Sequence, residues 1–242
     1  MRPPVVLLHG FMGRGADWRP VRAGLPDAWD VRAPDLPGHG AAVGLEGHTM
    51  DAAADLALAG LAAPADVVGY SMGGRLALHV AATRPEAVRR VVVVSGSPGL
   101  AAEAERAARR AVDAQRAAAL RADFPAFVDQ WYRMPLWDGL PDDLRQRLVA
   151  DRVRHNRPAG LAASLAGMGT GAQPDHWGAL PSLAVPVWAV AGALDAKFAG
   201  LAHEMARASA AVTPVVVPGA GHLLTAQAPA ALAAVLRDAL GP

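Results

Sequence analysis

Short apolar runs and longer amphipathic segments alternate along most of the chain. The apolar runs are rich in β-branched residues and continuously hydrophobic, which is typical of strands buried on both faces of a sheet. They fall at residues 3–10, 29–36, 66–70, 88–96, 185–192 and 213–219. Segments with helical character lie between most of them, at residues 17–25, 50–62, 72–84, 200–210 and 228–240. This alternation predicts an α/β fold with a doubly wound, mostly parallel sheet.

One long stretch, from about residue 100 to residue 182, departs from this alternation. It shows no convincing strand, and its helical pieces, rich in arginine and alanine, are interrupted by PLWDGLP and GMGTGAQP. We expect it to form a helical cap inserted over the sheet. The predicted organisation is a core of residues 1–99 and 183–242 with a cap of residues 100–182, a size that suits one decorated domain.

Composition and charge limit the classes of partner. The 242 residues are 52% hydrophobic and 19% charged with a formal net charge of +1, which is typical of a globular protein and gives no long-range field for nucleic acid. The absence of cysteine excludes thiolate nucleophiles and cysteine-based zinc sites. The start, MRPPVVLLHGF, lacks the pattern of a signal peptide, and no apolar run reaches about 18 residues. We therefore expect a cytoplasmic protein without membrane insertion.

The segment VVGYSMGGRLALH, residues 67–79, places one serine between two glycines where a predicted strand meets a predicted helix. Ligands of open parallel sheets bind beyond the carboxyl ends of the strands, and a serine on a tight turn there projects its hydroxyl into that space. Gly69 and Gly73 would allow close backbone approach where a Cβ would clash. Such a pentapeptide also occurs in ordinary packing turns, so the partners of Ser71 decide between the two interpretations.

Two further residues follow the last two predicted strands. Asp195 lies in VAGALDAKF and His222 in VVVPGAGHLL, so both loops open at the same sheet edge as Ser71. A serine nucleophile needs a base, and the base needs an orienting group. Taken singly, His222 could cap a loop turn and Asp195 could be a helix N-cap. Taken together, their positions and the chain order Ser, Asp, His predict a catalytic triad of the α/β-hydrolase type.

The first predicted strand ends in LLHGFMGRGADW. In α/β-hydrolases a His-Gly pair here forms a turn whose next backbone N–H, that of Phe11, joins the N–H of Met72 to bind a developing oxyanion. His9, and His39 in PDLPGHG, are expected to be structural histidines that bond to loop backbone.

The glycines at positions 10, 13 and 15 superficially resemble the nucleotide loop of a short-chain dehydrogenase. Such an enzyme has a catalytic tyrosine followed four residues later by lysine, whereas Gly74 follows Tyr70 and Leu136 follows Tyr132 at that spacing. A P-loop and metal-ligand spacing are also lacking. The sequence therefore predicts no cofactor and no metal.

The chain resembles the 2-succinyl-6-hydroxy-2,4-cyclohexadiene-1-carboxylate synthases of menaquinone biosynthesis in seven segments: VVGYSMGGRLAL, SGSPGL, ERAARRAVD, WYRMPLW, LVADRVRHN, MGTGAQPDHW and GALDAKF. The resemblance runs from residue 5 almost to the C terminus and includes the predicted cap, which generic hydrolases do not share. One departure is the start, where we expect the usual leading hairpin of strands to be missing or reduced.

The resemblance implies an elimination instead of a hydrolysis. Members of the family remove pyruvate from 2-succinyl-5-enolpyruvyl-6-hydroxy-3-cyclohexene-1-carboxylate and leave a conjugated diene. Ser71, deprotonated by His222 with Asp195 fixing the imidazole, would take the proton adjacent to the succinyl carbonyl. The enolate oxygen would face the amides of Phe11 and Met72.

The implied substrate is a small-molecule polycarboxylate, which guanidinium groups bind through paired hydrogen bonds. The positions that match the family's substrate contacts are Tyr70, Arg75, Arg109, Trp131, Tyr132 and Arg152. Without the resemblance, Arg109 and Arg152 would be assigned to solvated helix faces. Trp131 and Tyr132 would suit the core of the cap as well as they suit a substrate-binding wall. Arg75 lies one helical turn past the serine, so the helix period alone places it near the site.

Two other functions stay open on the sequence. Many capped α/β-hydrolases are carboxylesterases or carbon–carbon bond hydrolases with the same triad, and a non-catalytic ligand receptor is a less favoured third interpretation. Three arginines facing a pocket would do little for a neutral ester, which favours the polycarboxylate. We expect a monomer or a small homo-oligomer with no nucleic-acid partner.

Overall fold

The computed structural model describes residues 3–241. Its strands are β1 (Val5–Leu8), β2 (Val31–Arg32), β3 (Ala65–Tyr70), β4 (Val88–Val94), β5 (Val187–Gly192) and β6 (Val212–Val217). They form one sheet in the order β2-β1-β3-β4-β5-β6, and every neighbouring pair is parallel. The run predicted at residues 29–36 shortens to two paired residues. Pro34 and Pro37 follow them and have no N–H to donate to a ladder.

The helices are α1 (Arg19–Arg22), α2 (Met50–Leu58), α3 (Met72–Thr83), α4 (Glu103–Ala122), α5 (Phe124–Trp131), α6 (Asp142–His155), α7 (Pro158–Met168), α8 (Ala196–Ala208), α9 (Leu224–Gln227) and α10 (Pro229–Leu240). The helix predicted at residues 200–210 begins earlier, because the side chain of Asp195 accepts a hydrogen bond from the Phe198 amide and caps α8. None of the helices within residues 3–241 combines the length and the apolar character needed to cross a membrane.

Alternate residues of the central strands enter two hydrophobic cores, one on each face of the sheet. Val5 and Leu7 share a core with residues of α1 and α10, whereas Val6 and Leu8 share the other core with residues of α2 and α3. Both faces are therefore buried, which explains why these strands are continuously apolar. The predicted doubly wound sheet is confirmed.

Helices α4 to α7 are inserted between β4 and β5. Helix α4 packs along α7, and α5 contacts both α4 and α6. Hydrogen bonds tie the two ends of the insertion to each other near the sheet: the His176 amide donates to Pro98 O at 2.8 Å, and Gln173 Nε2 donates to Ser97 O at 2.9 Å. The described residues between 100 and 182 contain no strand, as the sequence pattern predicts.

Candidate active site

The turn between β3 and α3 holds Ser71 in an unusual backbone conformation. Its φ of 53° and ψ of −107° lie in a region that residues other than glycine rarely adopt. The Ser71 amide donates to Val94 O at 2.8 Å and fixes the turn. A Cβ on Gly69 would strike the carbonyl of Gly73, and one on Gly73 would strike the carbonyl of Leu8. Both glycines are therefore required for the turn that exposes the serine.

The structure brings Ser71, His222 and Asp195 together from the ends of three strands. His222 Nε2 lies 3.3 Å from Ser71 Oγ, and His222 Nδ1 lies 2.7 Å from Asp195 Oδ2. With its proton on Nδ1, the imidazole donates to the carboxylate and leaves Nε2 free to accept from the serine. The rings of Phe198 and Trp137 pack on the imidazole with centroid distances of 4.7 and 5.3 Å. This geometry suits proton transfer from Ser71.

The loop after β1 lies beside the serine. Phe11 from this loop and Met72 from the start of α3 both line the cavity that contains Ser71. Burial lowers the pKa of His9, and the neutral ring holds the loop: Nδ1 donates to Gly10 O at 2.8 Å, and Nε2 accepts from the Leu36 amide at 2.9 Å. His9 is therefore a structural residue, as expected, and it stabilises the turn whose Phe11 amide we expect to bind an oxyanion.

A cavity of about 960 Å³ extends from the triad to the inserted helices. Arg75, Arg109 and Trp131 line it, as the resemblance implies. Arg75 Nη1 donates to Met168 O at 2.7 Å, and Arg109 Nε donates to Asp113 Oδ1 at 2.9 Å. Burial, together with the positive charge of Arg109, lowers the pKa of Arg75 to about 10. The cavity wall around Arg75 and Arg109 thus carries positive charge where solvent is partly excluded.

Tyr70, Tyr132 and Arg152 are not among the residues that line this cavity, and their contact with the substrate stays a prediction from the family resemblance. The Arg152 guanidinium is already neutralised, because it lies 2.7 Å from a carboxylate oxygen of Asp17 and 2.8 Å from one of Asp151. Its Nε donates to the Tyr132 hydroxyl at 3.1 Å. The Tyr70 hydroxyl is buried and has no hydrogen-bond partner among the described residues. All three are buried.

Two cations of the cavity wall were not predicted from the sequence. Arg116 lies on α4, with its charged carbon 5.2 Å from the Trp131 ring centroid, and Lys197 lies at the start of α8. The available signal was the spacing of Arg109, Asp113 and Arg116, which places all three on one face of a helix. The spacing does not say which face of α4 meets the cavity.

The glycine-rich loop is not arranged as a phosphate cradle. The Gly13 amide donates to Gly10 O at 2.9 Å, and the Gly15 amide donates to Asp35 Oδ1 at 2.7 Å, so both donors are used within the chain.

Among residues 3–241 no group of three or more His, Cys, Asp or Glu side chains is placed to hold a metal ion.

Comparisons with known proteins agree with this architecture. A model of the alpha/beta hydrolase family matches residues 5–235. The 2-succinyl-6-hydroxy-2,4-cyclohexadiene-1-carboxylate synthase of Enterobacter sp. (strain 638) is 35% identical over 98% of this chain and 92% of the relative. The synthase of Escherichia coli O1:K1 is 34% identical over 98% of this chain and 94% of its own length. The structure of MenH from S. aureus has a TM-score of 0.90 at 28% identity, covering 98% of this chain and 93% of that one.

These matches span the inserted helices as well as the sheet, and they confirm both the predicted fold class and the resemblance found in the sequence. The chain belongs to the alpha/beta hydrolase family and, within it, to the family of the 2-succinyl-6-hydroxy-2,4-cyclohexadiene-1-carboxylate synthases.

Proposed function

We propose that the protein is a carbon–oxygen lyase of menaquinone biosynthesis. It eliminates pyruvate from 2-succinyl-5-enolpyruvyl-6-hydroxy-3-cyclohexene-1-carboxylate and releases 2-succinyl-6-hydroxy-2,4-cyclohexadiene-1-carboxylate. One observation carries the proposal: the hydrogen-bonded series Ser71, His222 and Asp195 opens into the same cavity as Arg75 and Arg109. A base beside paired cations suits proton abstraction from a polycarboxylate.

The first step is a proton transfer from carbon. Ser71 Oγ takes the proton at C2, adjacent to the succinyl carbonyl, while its own proton passes to His222 Nε2, 3.3 Å away. Asp195 stabilises the imidazolium that forms, because its carboxylate accepts from Nδ1. The backbone amides of Phe11 and Met72 bind the enolate oxygen, where negative charge develops.

The second step expels the leaving group. The electron pair of the broken C2–H bond forms C2=C3, the ring double bond moves from C3=C4 to C4=C5, and the C5–O bond breaks. The His222 imidazolium returns its proton to the departing enolpyruvate, which leaves as pyruvate. The serine hydroxyl keeps the substrate proton, so the triad is restored without water, cofactor or covalent intermediate.

The proposal assigns separate tasks to the two parts of the chain. Residues 1–99 and 183–242 form the catalytic core, and residues 100–182 form the cap that supplies Arg109 and Trp131 to the substrate. Tyr70, Tyr132 and Arg152 stay predicted substrate contacts from the family resemblance. The cytoplasmic location and the monomeric or small homo-oligomeric state stay predictions from the sequence.

The test supplies the enolpyruvyl cyclohexene substrate and follows two signals in one sample: pyruvate release, coupled to lactate dehydrogenase, and the absorbance of the diene. We expect both products in equal amounts. Ser71→Ala should abolish both signals, whereas Ser182→Ala, which alters an exposed serine that is not among the lining residues, should leave both unchanged. Pyruvate without diene would indicate hydrolysis and would overturn the proposal.

A further inference from the structure

Two arginines of α4 share a single oxygen of one carboxylate. Arg109 Nε donates to Asp113 Oδ1 at 2.9 Å, and Arg116 Nη1 approaches the same oxygen at 3.4 Å. The other oxygen, Oδ2, lies 3.5 Å from the Gly171 amide. Asp113 is buried, with its side chain 4% exposed, while the side chains of Arg109 and Arg116 are 31% and 27% exposed. One buried carboxylate therefore serves two guanidinium groups that reach the cavity.

The charge around Asp113 is unbalanced, although Asp138, Asp195 and Glu204 elsewhere on the lining offset the positive charge of the cavity as a whole. Arg75, Arg109 and Arg116 all line the cavity, and Asp113 is the carboxylate that forms ion pairs with the last two. Glu105, an exposed acidic residue at the same wall, forms no ion pair with any residue between 3 and 241. Burial, followed by the charge of Arg109, lowers the pKa of both Arg75 and Arg116. Each of these cations would be stabilised by an anion in the cavity.

Arg116 is also held in place by contacts that leave most of its hydrogen-bonding capacity unused. Its charged carbon lies 5.2 Å from the Trp131 ring centroid, a distance at which a cation is attracted to an aromatic face. Its Nη2 approaches the Met134 sulfur at 4.0 Å, and a thioether sulfur is a weak acceptor. A guanidinium has five N–H donors in a planar fork, so donors of Arg116 remain for a ligand.

We propose that Arg116 adds a carboxylate-binding subsite beside Arg109, which the proposed function already assigns to the substrate, and that Arg116 selects ligands carrying a second carboxylate remote from the reacting carbon. The identity of the natural ligand rests on the proposed function. The binding of a dicarboxylate to this pair of arginines does not depend on turnover, and it is measured separately.

The experiment uses succinate as the probe and titrates it into the whole protein by calorimetry at low ionic strength. Arg116→Gln should weaken succinate binding about tenfold to a hundredfold, the range expected when a charge-assisted hydrogen bond is lost. The matched control is Arg121→Gln, on the same helix and exposed away from the cavity, which should leave succinate affinity unchanged. Succinamide, a neutral analogue of the same length, should not bind measurably to the wild type.

Arg116→Lys is the second variant, and it keeps the charge while losing the planar fork. Its affinity should fall between those of the wild type and Arg116→Gln. With the enolpyruvyl substrate, Arg116→Gln should raise KM strongly while kcat changes little, as expected for lost uniform binding. The subsite is refuted if wild-type protein shows no saturable succinate binding, or if Arg116→Gln binds succinate as well as Arg121→Gln does. Intact succinate binding without pyruvate release refutes the lyase proposal alone and supports the subsite.

Discussion

Replacing Asp17 by asparagine removes the main counter-charge of a buried arginine. The side chain of Arg152 is 5% exposed, with Nη2 2.7 Å from Asp17 Oδ2 and Nη1 2.9 Å from Asp17 Oδ1. Burial by itself would lower the pKa of Arg152, but the Tyr132 hydroxyl and the Asp17 carboxylate outweigh it and raise that pKa. A guanidinium is not deprotonated in proteins, so Arg152 stays charged in Asp17→Asn and the variant loses stability.

The magnitude follows from the surroundings of the pair. Removing one partner of a fully buried ion pair costs about 3–5 kcal/mol. Two features reduce that figure here: the side chain of Asp17 is 23% exposed, and Asp151 remains 2.8 Å from Nη1 of Arg152. The amide oxygen of the new asparagine also keeps one acceptor. We expect Asp17→Asn to lower the free energy of unfolding by about 2 kcal/mol.

The assay is a double-mutant cycle of Asp17→Asn and Arg152→Gln, measured by urea denaturation. A coupling energy of about 2 kcal/mol is expected for the two residues. The matched pair is Asp143 and Arg147, on the same helix as Arg152, whose side chains are 68% and 67% exposed at an N···O distance of 2.6 Å. The coupling of that exposed pair should stay below about 0.5 kcal/mol.

A coupling for Asp17 and Arg152 no larger than that of the exposed pair would contradict this reasoning. Arg152 would then not be committed to Asp17, and its guanidinium would be available to the substrate, as the family resemblance implied. The cycle therefore measures how strongly Arg152 is committed to Asp17, without requiring the substrate itself.

Three further predictions concern the turn, the triad and a buried histidine pair. Ser71→Ala and His222→Ala should each reduce kcat by several orders of magnitude, and the double variant should be little worse than either, because the residues act as one unit. Gly73→Ala should cost about 1–3 kcal/mol in urea denaturation and most of the activity, because the new Cβ strikes the backbone carbonyl of Leu8. Burial, and then the charge of His79, lowers the pKa of His176 from 6.5 to about 4. Between these pH values the unfolded chain binds a proton that the folded protein does not, so the free energy of unfolding should fall as the pH drops from 6.5 to about 4. The fall should be less steep in His176→Gln.

The fold and the triad were predictable because each depends on local rules that parallel sheets turn into geometry. Continuous apolar runs indicate strands buried on both faces, and the carboxyl ends of parallel strands meet at one edge. Ser71, Asp195 and His222 directly follow three such strands, so their positions in the chain predict that they lie together although they are far apart in sequence. The glycines beside Ser71 were equally informative, because only a missing Cβ allows that turn.

The binding wall was less predictable, because it depends on which groups already neutralise each arginine. In sequence, Arg109 and Arg152 are equivalent matches to a family motif. In the structure, Arg152 is paired with Asp17 and Asp151 and is not among the lining residues, whereas Arg109 shares Asp113 and lines the cavity. Asp151 precedes Arg152 on α6, but Asp17 lies on a distant segment of the chain. No spacing rule within α6 therefore predicts the pair of Arg152 and Asp17.

Helix α4 shows what the sequence could have revealed. Its buried residues are Asp113, Ala117 and Leu120, at the spacing of one helix face, so a carboxylate stands within the stripe that packs inward. A buried carboxylate requires a cation, and here Arg109 and Arg116 lie four residues before and three residues after it. One cation would neutralise Asp113, so the second is in excess on that face. An excess guanidinium beside a cavity is stabilised when a ligand carboxylate completes the charge balance. The shared Asp113 therefore favours Arg116 as the residue that binds a ligand carboxylate.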